Sequence, residues 1–201
     1  MIVGSTAPNF TTQAFINGDV KSISLSDYKE KWVILFFYSG DFSFVWPTEL
    51  ASLAVRYNEF MELNTEVLAI NVDSVYSHKI WNEIELSKMA NMNIPYPILS
   101  DETGNIGRLY DIYDQQKGTA LRGTFIIDPK GYIHGVEILT NPIGRCIGET
   151  LRQLKAFQNY VSTGEMAPCD WQPGEKTIVE SIEICGDIWK QWKPLNNNNT
   201  N

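Results

Sequence analysis

The feature that most constrains the fold is a run of seven apolar residues, Trp32 to Tyr38. The charged tripeptide Lys29-Glu30-Lys31 precedes this run, and Ser39-Gly40 follows it. An apolar run of strand length without polar alternation is typical of a strand buried on both faces, as at the centre of a parallel or mixed sheet. The run therefore predicts an α/β protein with this strand deep in its sheet.

The residues after this strand predict a helix, a second buried strand and a further helix. Pro47 suits the first turn of a helix, where a missing N–H has no cost, and apolar residues then recur at helical spacing to about Asn64. The run Glu66 to Asp73 reads as the second strand. Helical periodicity returns over His78 to Met92.

The second half of the chain predicts a hairpin and a last helix. Thr124 to Asp128 and Tyr132 to Ile138 form two strand-like segments around the turn Pro129-Lys130-Gly131. Glu149 to Tyr160 has one apolar face and is predicted to be helical. Strand, helix and strand, then a hairpin and a helix, is the order of a thioredoxin-like α/β sandwich.

The length of 201 residues fits one domain, which we place at residues 1–163. After about Gly164 the sequence pattern changes, because Pro168 and Pro173-Gly174 interrupt a tail that contains aromatic residues. We interpret residues 164–201 as a C-terminal arm that packs on a second subunit. The polar end, Asn196 to Asn201, is expected to be disordered.

The composition excludes several classes of function. A formal net charge of −8, with no cluster of lysine and arginine, argues against nucleic acid or an anionic membrane as partner. No apolar stretch approaches the roughly 18 residues of a membrane helix, and the N-terminus does not read as a signal peptide. Three widely spaced cysteines have no metal-ligand spacing, so we expect reduced thiols, a cytoplasmic location and neither metal nor cofactor.

The segment Asp41 to Leu50 resembles the active-site segment of the peroxiredoxins, in the alkyl hydroperoxide reductase C subgroup. Four further segments resemble the same family in consistent order. They are Asn71-Val72-Asp73-Ser74 with Ser77 to Trp81, Arg122 to Asp128, Asn141 to Arg145, and the arm from Gly164 to Gly174. The resemblance covers about Gly4 to Thr177 and implies the thioredoxin-like fold and thiol peroxidase chemistry.

The resemblance implies that Trp46 stands at the position of the peroxidatic cysteine. In the family, a thiolate at the first turn of a helix is stabilised by the helix dipole and an adjacent arginine. Hydroxyl and N–H groups hold the peroxide oxygens. By the same resemblance Ser39 replaces a shielding proline, and Ala167 replaces the resolving cysteine. The pocket residues kept from the pattern are Ser43, Pro47, Thr48, Glu49 and Arg145.

An indole has no ionisable thiol, so Trp46 cannot attack a peroxide. Tryptophan also hides roughly 150–250 Å² of surface when buried, far more than cysteine does. We therefore expect Trp46 either to fill the pocket or to prop the first helical turn open. Arg145 is expected near an indole face, in a cation–π contact.

Two other thiols are candidates for a relocated nucleophile. Cys169 lies two residues beyond Ala167, but its neighbour Asp170 would raise its pKa. Cys146 follows Arg145, whose guanidinium could favour a thiolate. Packing roles are the alternative for both, and Cys185 is expected in an arm strand.

The sequence leaves three hypotheses for function. The first is a peroxiredoxin-fold protein that has lost peroxidase activity and acts through assembly, in a chaperone-like or regulatory role. Its partners would be a second copy, a ring of dimers, or an active peroxiredoxin paralogue, with Trp81 and Trp171 as interface candidates. The second is an active peroxidase using Cys169 or Cys146 on H₂O₂ and alkyl hydroperoxides. The third is an altered form of an active peroxidase.

Overall fold

The computed structural model describes residues 2–194, and residues 2–147 build a mixed α/β fold around a seven-stranded sheet. The strand order is β2-β1-β5-β4-β3-β8-β9. The strands of this sheet are β1 (Thr11–Ile16), β2 (Asp19–Ser24), β3 (Trp32–Phe37), β4 (Thr65–Asn71), β5 (Ile98–Ser100), β8 (Arg122–Ile127) and β9 (Ile133–Leu139). A two-stranded ribbon joins β6 (Tyr113–Asp114) and β7 (Thr119–Ala120).

Strand β3 lies inside the sheet, as its apolar sequence predicts. It pairs in parallel with β4 and antiparallel with β8, and all six of its residues are buried. Val33, Leu35 and Phe37 face a large apolar cluster. Phe36 points to the opposite face, where a guanidinium lies against its ring. The alternation of strand side chains thus separates the main core from the face that carries the candidate site.

The helix predicted from Pro47 to about Asn64 is two helices, α1 (Trp46–Val55) and α2 (Tyr57–Glu62). Arg56 separates them because its backbone (φ −100°, ψ 7°) leaves the α region. The helix predicted over 78–92 starts earlier and is also composite. It contains α3 (Val75–Trp81), a π-helical turn over Asn82–Leu86, and α4 (Ser87–Ala90).

Several short elements were not predicted from the sequence. The hairpin β1–β2 turns at Asn17-Gly18, both with positive φ, a standard hairpin signal. Strand β5 has only three residues, and helix α5 (Asn105–Leu109) only five. Elements this short carry too few apolar positions to show a period. The predicted hairpin of β8 and β9 is present, with an irregularity in register at Ile126 and Ile127.

The chain divides into two compact units, Met1–Ile147 and Gly148–Asn201. The second contains most of helix α6 (Ile147–Thr163), then turns and two short 3₁₀ helices, Ile182–Ile184 and Ile188–Lys190. The arm strand expected around Cys185 is wrong, because Ser181 accepts the Glu183 N–H and starts a 3₁₀ turn, leaving Cys185 exposed. The polar end at 196–201 lies outside the described residues. None of the described helices is long and apolar enough to cross a membrane.

Candidate active site

Residue 46 occupies the first position of helix α1, at the carboxyl end of the β3 region. Its indole is only 4% exposed. The first turn remains closed, since the carbonyl of Val45 accepts the N–H of Thr48 at 3.0 Å and that of Glu49 at 3.4 Å. Pro47 is buried at the second helical position, where its missing N–H leaves no hydrogen bond unmade. Of the two expected outcomes, the structure shows the first: Trp46 fills space beneath the helix and the turn does not open.

Glu49 is the buried anion that holds this site together. Its Oε1 accepts the backbone N–H of Arg145 at 2.6 Å and its Oε2 accepts Arg145 Nη2 at 2.8 Å. Arg122 Nη1 also donates to Oε1. Both arginine side chains are fully buried. One carboxylate therefore ties helix α1 to strand β8 and to the loop that precedes α6.

The guanidinium stacked on the indole belongs to Arg122. Its Cζ lies 3.5 Å from the ring centroid of Trp46, whereas that of Arg145 lies at 5.9 Å. Arg145 instead lies on Phe36, at 3.2 Å from the ring centroid. The expected contact between Arg145 and the indole is thus the more distant of two. Sequence reasoning missed Arg122 because a charged residue opening a strand gives no sign of which face it will occupy.

Positive charge exceeds negative charge among the three ionised groups in direct contact here. Burial lowers the pKa of Arg145 to about 10, opposed by its hydrogen bond and ion pair with Glu49. Burial also lowers the pKa of Arg122. Three buried side-chain atoms, Ser43 Oγ, His78 Nε2 and Arg122 Nε, have no hydrogen-bond partner among the described residues. The guanidinium groups beside position 46 would attract an anion there, and Glu49 and Glu137 offset part of their charge.

The loop before α1 is fixed by a second carboxylate, Asp41. It accepts hydrogen bonds from the Tyr38 hydroxyl at 2.9 Å, Asn71 Nδ2 at 2.9 Å, Ser77 Oγ at 2.8 Å and His78 Nδ1 at 2.8 Å. Burial, reinforced by Asp41, raises the pKa of Tyr38 well above its usual range. Sequence reasoning treated His78 as structural, but the hub at Asp41 was not anticipated.

The other residues singled out from the sequence contact neither Glu49 nor the two arginines in the hydrogen bonds described above. Ser39 is half-buried in the loop, and Thr48 is exposed with its hydroxyl donating to the carbonyl of Val45. Ala167 is half-buried in the second unit, next to Met166, which pairs with Ile178. That Ser39, Trp46 and Ala167 stand at the positions of the shielding proline, the peroxidatic cysteine and the resolving cysteine stays a prediction. Trp81 is fully buried, which favours the core over an interface.

The three cysteines are all exposed, and the described part of the chain contains no disulfide. A hydrogen bond from Cys169 to Asp170, together with the charge of Asp170, raises the pKa of the Cys169 thiol, as expected. Cys146 immediately precedes α6. Within residues 2–194 no group of three His, Cys, Asp or Glu side chains could hold a metal ion.

Comparison with known proteins agrees with this architecture. The AhpC/TSA family matches residues 3–136, and the C-terminal domain of 1-Cys peroxiredoxin matches residues 156–182. The chain belongs to the AhpC/TSA peroxiredoxin family. A selenocysteine-containing peroxiredoxin, PrxU of Peptoclostridium acidaminophilum, is 48% identical over 94% of this chain and 95% of its own. A thioredoxin peroxidase of Echinococcus granulosus is 43% identical, over 93% and 95% of the two chains.

Solved structures lead to the same family. The reduced 2-Cys peroxiredoxin of Plasmodium vivax superposes with a TM-score of 0.85 at 33% identity, covering 90% of this chain and 94% of its own. AhpC of Enterococcus faecalis gives 0.77 at 36% identity, covering 83% and 98%. The thioredoxin-like fold of the peroxiredoxins, predicted from the sequence, is confirmed.

Proposed function

We propose that the chain carrying Trp46 is a peroxiredoxin-fold protein without thiol peroxidase activity, which acts by assembling with itself or with an active paralogue. The observation that carries this proposal is the position of Trp46. A buried indole fills the start of α1, between the Arg122 guanidinium and the Tyr38 ring. No sulfur is available there, and the three cysteines of the chain are all exposed elsewhere.

Exposed apolar side chains support assembly as the retained role. They lie on the loop before α1 and along the surface of the α3–α4 segment. The most exposed are Phe42, Phe44, Tyr76, Ile84 and Met89. Large apolar side chains exposed in such number favour an interaction surface. A cytoplasmic location is part of the proposal, since three exposed thiols without a disulfide fit a reducing compartment.

Sedimentation velocity over a wide concentration range tests the assembly. We expect dimers or larger rings in the purified protein, and a shift to smaller species when Phe44→Asp places a charge in the exposed patch. Asn105→Asp, a surface change on α5, is the control. A wild-type protein that is monomeric at every concentration would contradict the proposal.

A second candidate function has specific support: a selenoperoxidase in which codon 46 is UGA and is decoded as selenocysteine. The relative at 48% identity is named as selenocysteine-containing. UGA differs by one base from the tryptophan codon UGG, and some genetic codes read UGA itself as tryptophan. A selenolate is an anion at neutral pH. It would suit the first turn of α1 and the guanidinium group of Arg122, which stacks on residue 46.

Two observations separate the candidates. The first is the genomic codon at position 46, and the second is the mass of the peptide spanning Phe44 to Leu50 in protein from the native organism. UGG with an intact tryptophan mass supports the loss of peroxidase activity. UGA with the isotope pattern of selenium supports the selenoperoxidase and would overturn the first proposal.

A further inference from the structure

Three oxidisable aromatic side chains form a continuous file inside the first compact unit. The ring centroid of Trp46 lies 6.4 Å from that of Tyr38, which lies 6.0 Å from that of Trp81. All three are buried, with Tyr38 and Trp81 fully inaccessible. We call Trp46, Tyr38 and Trp81 the aromatic file. Phe42 extends it to the surface, 6.0 Å beyond Trp81.

Tyr38 has a proton acceptor in place. Its hydroxyl donates to Asp41 Oδ1 at 2.9 Å, and the other oxygen of Asp41 accepts from His78 and Ser77. Burial and the Asp41 charge raise the pKa of Tyr38, so its phenol is protonated at neutral pH. Loss of an electron from a phenol makes its proton strongly acidic. Asp41 is positioned to receive that proton as the electron leaves.

The charges beside the aromatic file determine the direction in which an electron vacancy would move along it. The Arg122 guanidinium stacked on Trp46 disfavours a radical cation on its indole, although Glu49 offsets part of that charge. Carboxylates lie at the other two members, with Asp41 at Tyr38 and Glu85 accepting the indole N–H of Trp81. Negative charge favours the oxidised form of each. An electron vacancy created on Trp46 is therefore driven towards Tyr38 and Trp81.

We propose that Trp46 and Tyr38, the first two members of the aromatic file, form a one-electron relay that transfers oxidising equivalents from Trp46 to Tyr38. A radical oxidant takes one electron from Trp46, and the Trp46 radical cation then takes one electron from Tyr38. The phenolic proton of Tyr38 moves to Asp41. The oxidant is reduced by one electron, Trp46 is restored, and Tyr38 becomes a neutral phenoxyl radical. The relay needs the chain with Trp46 but not the assembly proposed above.

A photo-oxidant attached near Trp46 tests the relay. Phe44 is 96% exposed and two residues away, so a ruthenium polypyridyl label on Phe44→Cys places the oxidant there, with Cys146, Cys169 and Cys185 replaced by serine. Flash-quench then generates the one-electron oxidant, and transient absorption separates tryptophan from tyrosyl radicals. Circular dichroism of each variant checks that the fold is kept.

We expect a tyrosyl signal that is lost in Tyr38→Phe, leaving a longer-lived tryptophan radical. Asp41→Asn removes the proton acceptor and should also abolish the tyrosyl signal, and Trp46→Phe should slow its formation. Tyr110→Phe is the matched control, because Tyr110 is buried but its ring contacts are Phe10, Phe37 and Phe125. A tyrosyl signal that survives Tyr38→Phe, or whose rate is unchanged in Trp46→Phe, would overturn the relay.

Discussion

Replacing Glu49 with glutamine isolates the electrostatics of the site. The carboxylate is 2% exposed and joins two fully buried guanidinium groups, those of Arg122 and Arg145. Glutamine keeps the size of the side chain and one acceptor oxygen. The amide removes the negative charge, however, and its NH₂ group faces one of the two arginine guanidinium groups, which can only donate. Two buried cations would then lose the carboxylate to which both donate hydrogen bonds.

The expected loss of unfolding free energy follows from the burial of Glu49 and its two arginine partners. Removing one member of a buried ion pair costs about 3–5 kcal/mol, because the remaining charge stays desolvated. Since glutamine can still accept one hydrogen bond, we expect a loss near the lower end, about 3 kcal/mol. An exposed pair offers the matched control. Arg56 and Glu59 are 37% and 43% exposed, so Glu59→Gln should cost about 0–1 kcal/mol.

Urea unfolding followed by tryptophan fluorescence measures both variants. The protein concentration must be the same throughout, because assembly adds to apparent stability. We expect Glu49→Gln to lower the unfolding midpoint without changing the slope with urea. A Glu49→Gln protein within about 1 kcal/mol of wild type would refute the assignment of Glu49 as the buried anion of the site.

Three further predictions concern other parts of the chain. Trp46→Ala removes a buried indole and should lower the unfolding free energy by about 3–5 kcal/mol in the same urea assay; a loss below about 1 kcal/mol would contradict the packing described. The raised pKa of Cys169 predicts that its alkylation by iodoacetamide at pH 8 speeds up in Asp170→Asn, and an unchanged rate would contradict it. Gly104 has φ +69°, and a Cβ there would overlap the Tyr113 ring, so Gly104→Ala should cost about 1–3 kcal/mol. An unchanged melting temperature would refute that last prediction.

The fold was largely predictable because its long elements carry clear patterns. The uninterrupted apolar run at Trp32 to Tyr38 predicts a buried strand, and the structure places strand β3 inside the sheet. Helix breaks were not predictable. Arg56 is an ordinary helix former, and only its backbone angles reveal that α1 ends there. The π turn at Asn82–Leu86 was likewise not predicted from the sequence.

The candidate site was predictable in part. Trp46, Glu49 and Arg145 came from the resemblance of two short segments, and the structure brings them together. Arg122 was missed although it stacks directly on the indole. Its position depends on the register of β8 against β3 and on the inward face of that strand, which are tertiary properties. The hub at Asp41 was missed for the same reason, since its partners come from three separate segments.

Peroxide consumption by the purified, reduced protein tests the central claim most directly. Reactions with H₂O₂ and with an alkyl hydroperoxide are compared for wild type and for Cys146→Ser, Cys169→Ser and Cys185→Ser in turn. The account predicts no consumption above background by the chain with Trp46, in any of these forms. Consumption that one cysteine replacement abolishes would identify a relocated nucleophile and contradict the account.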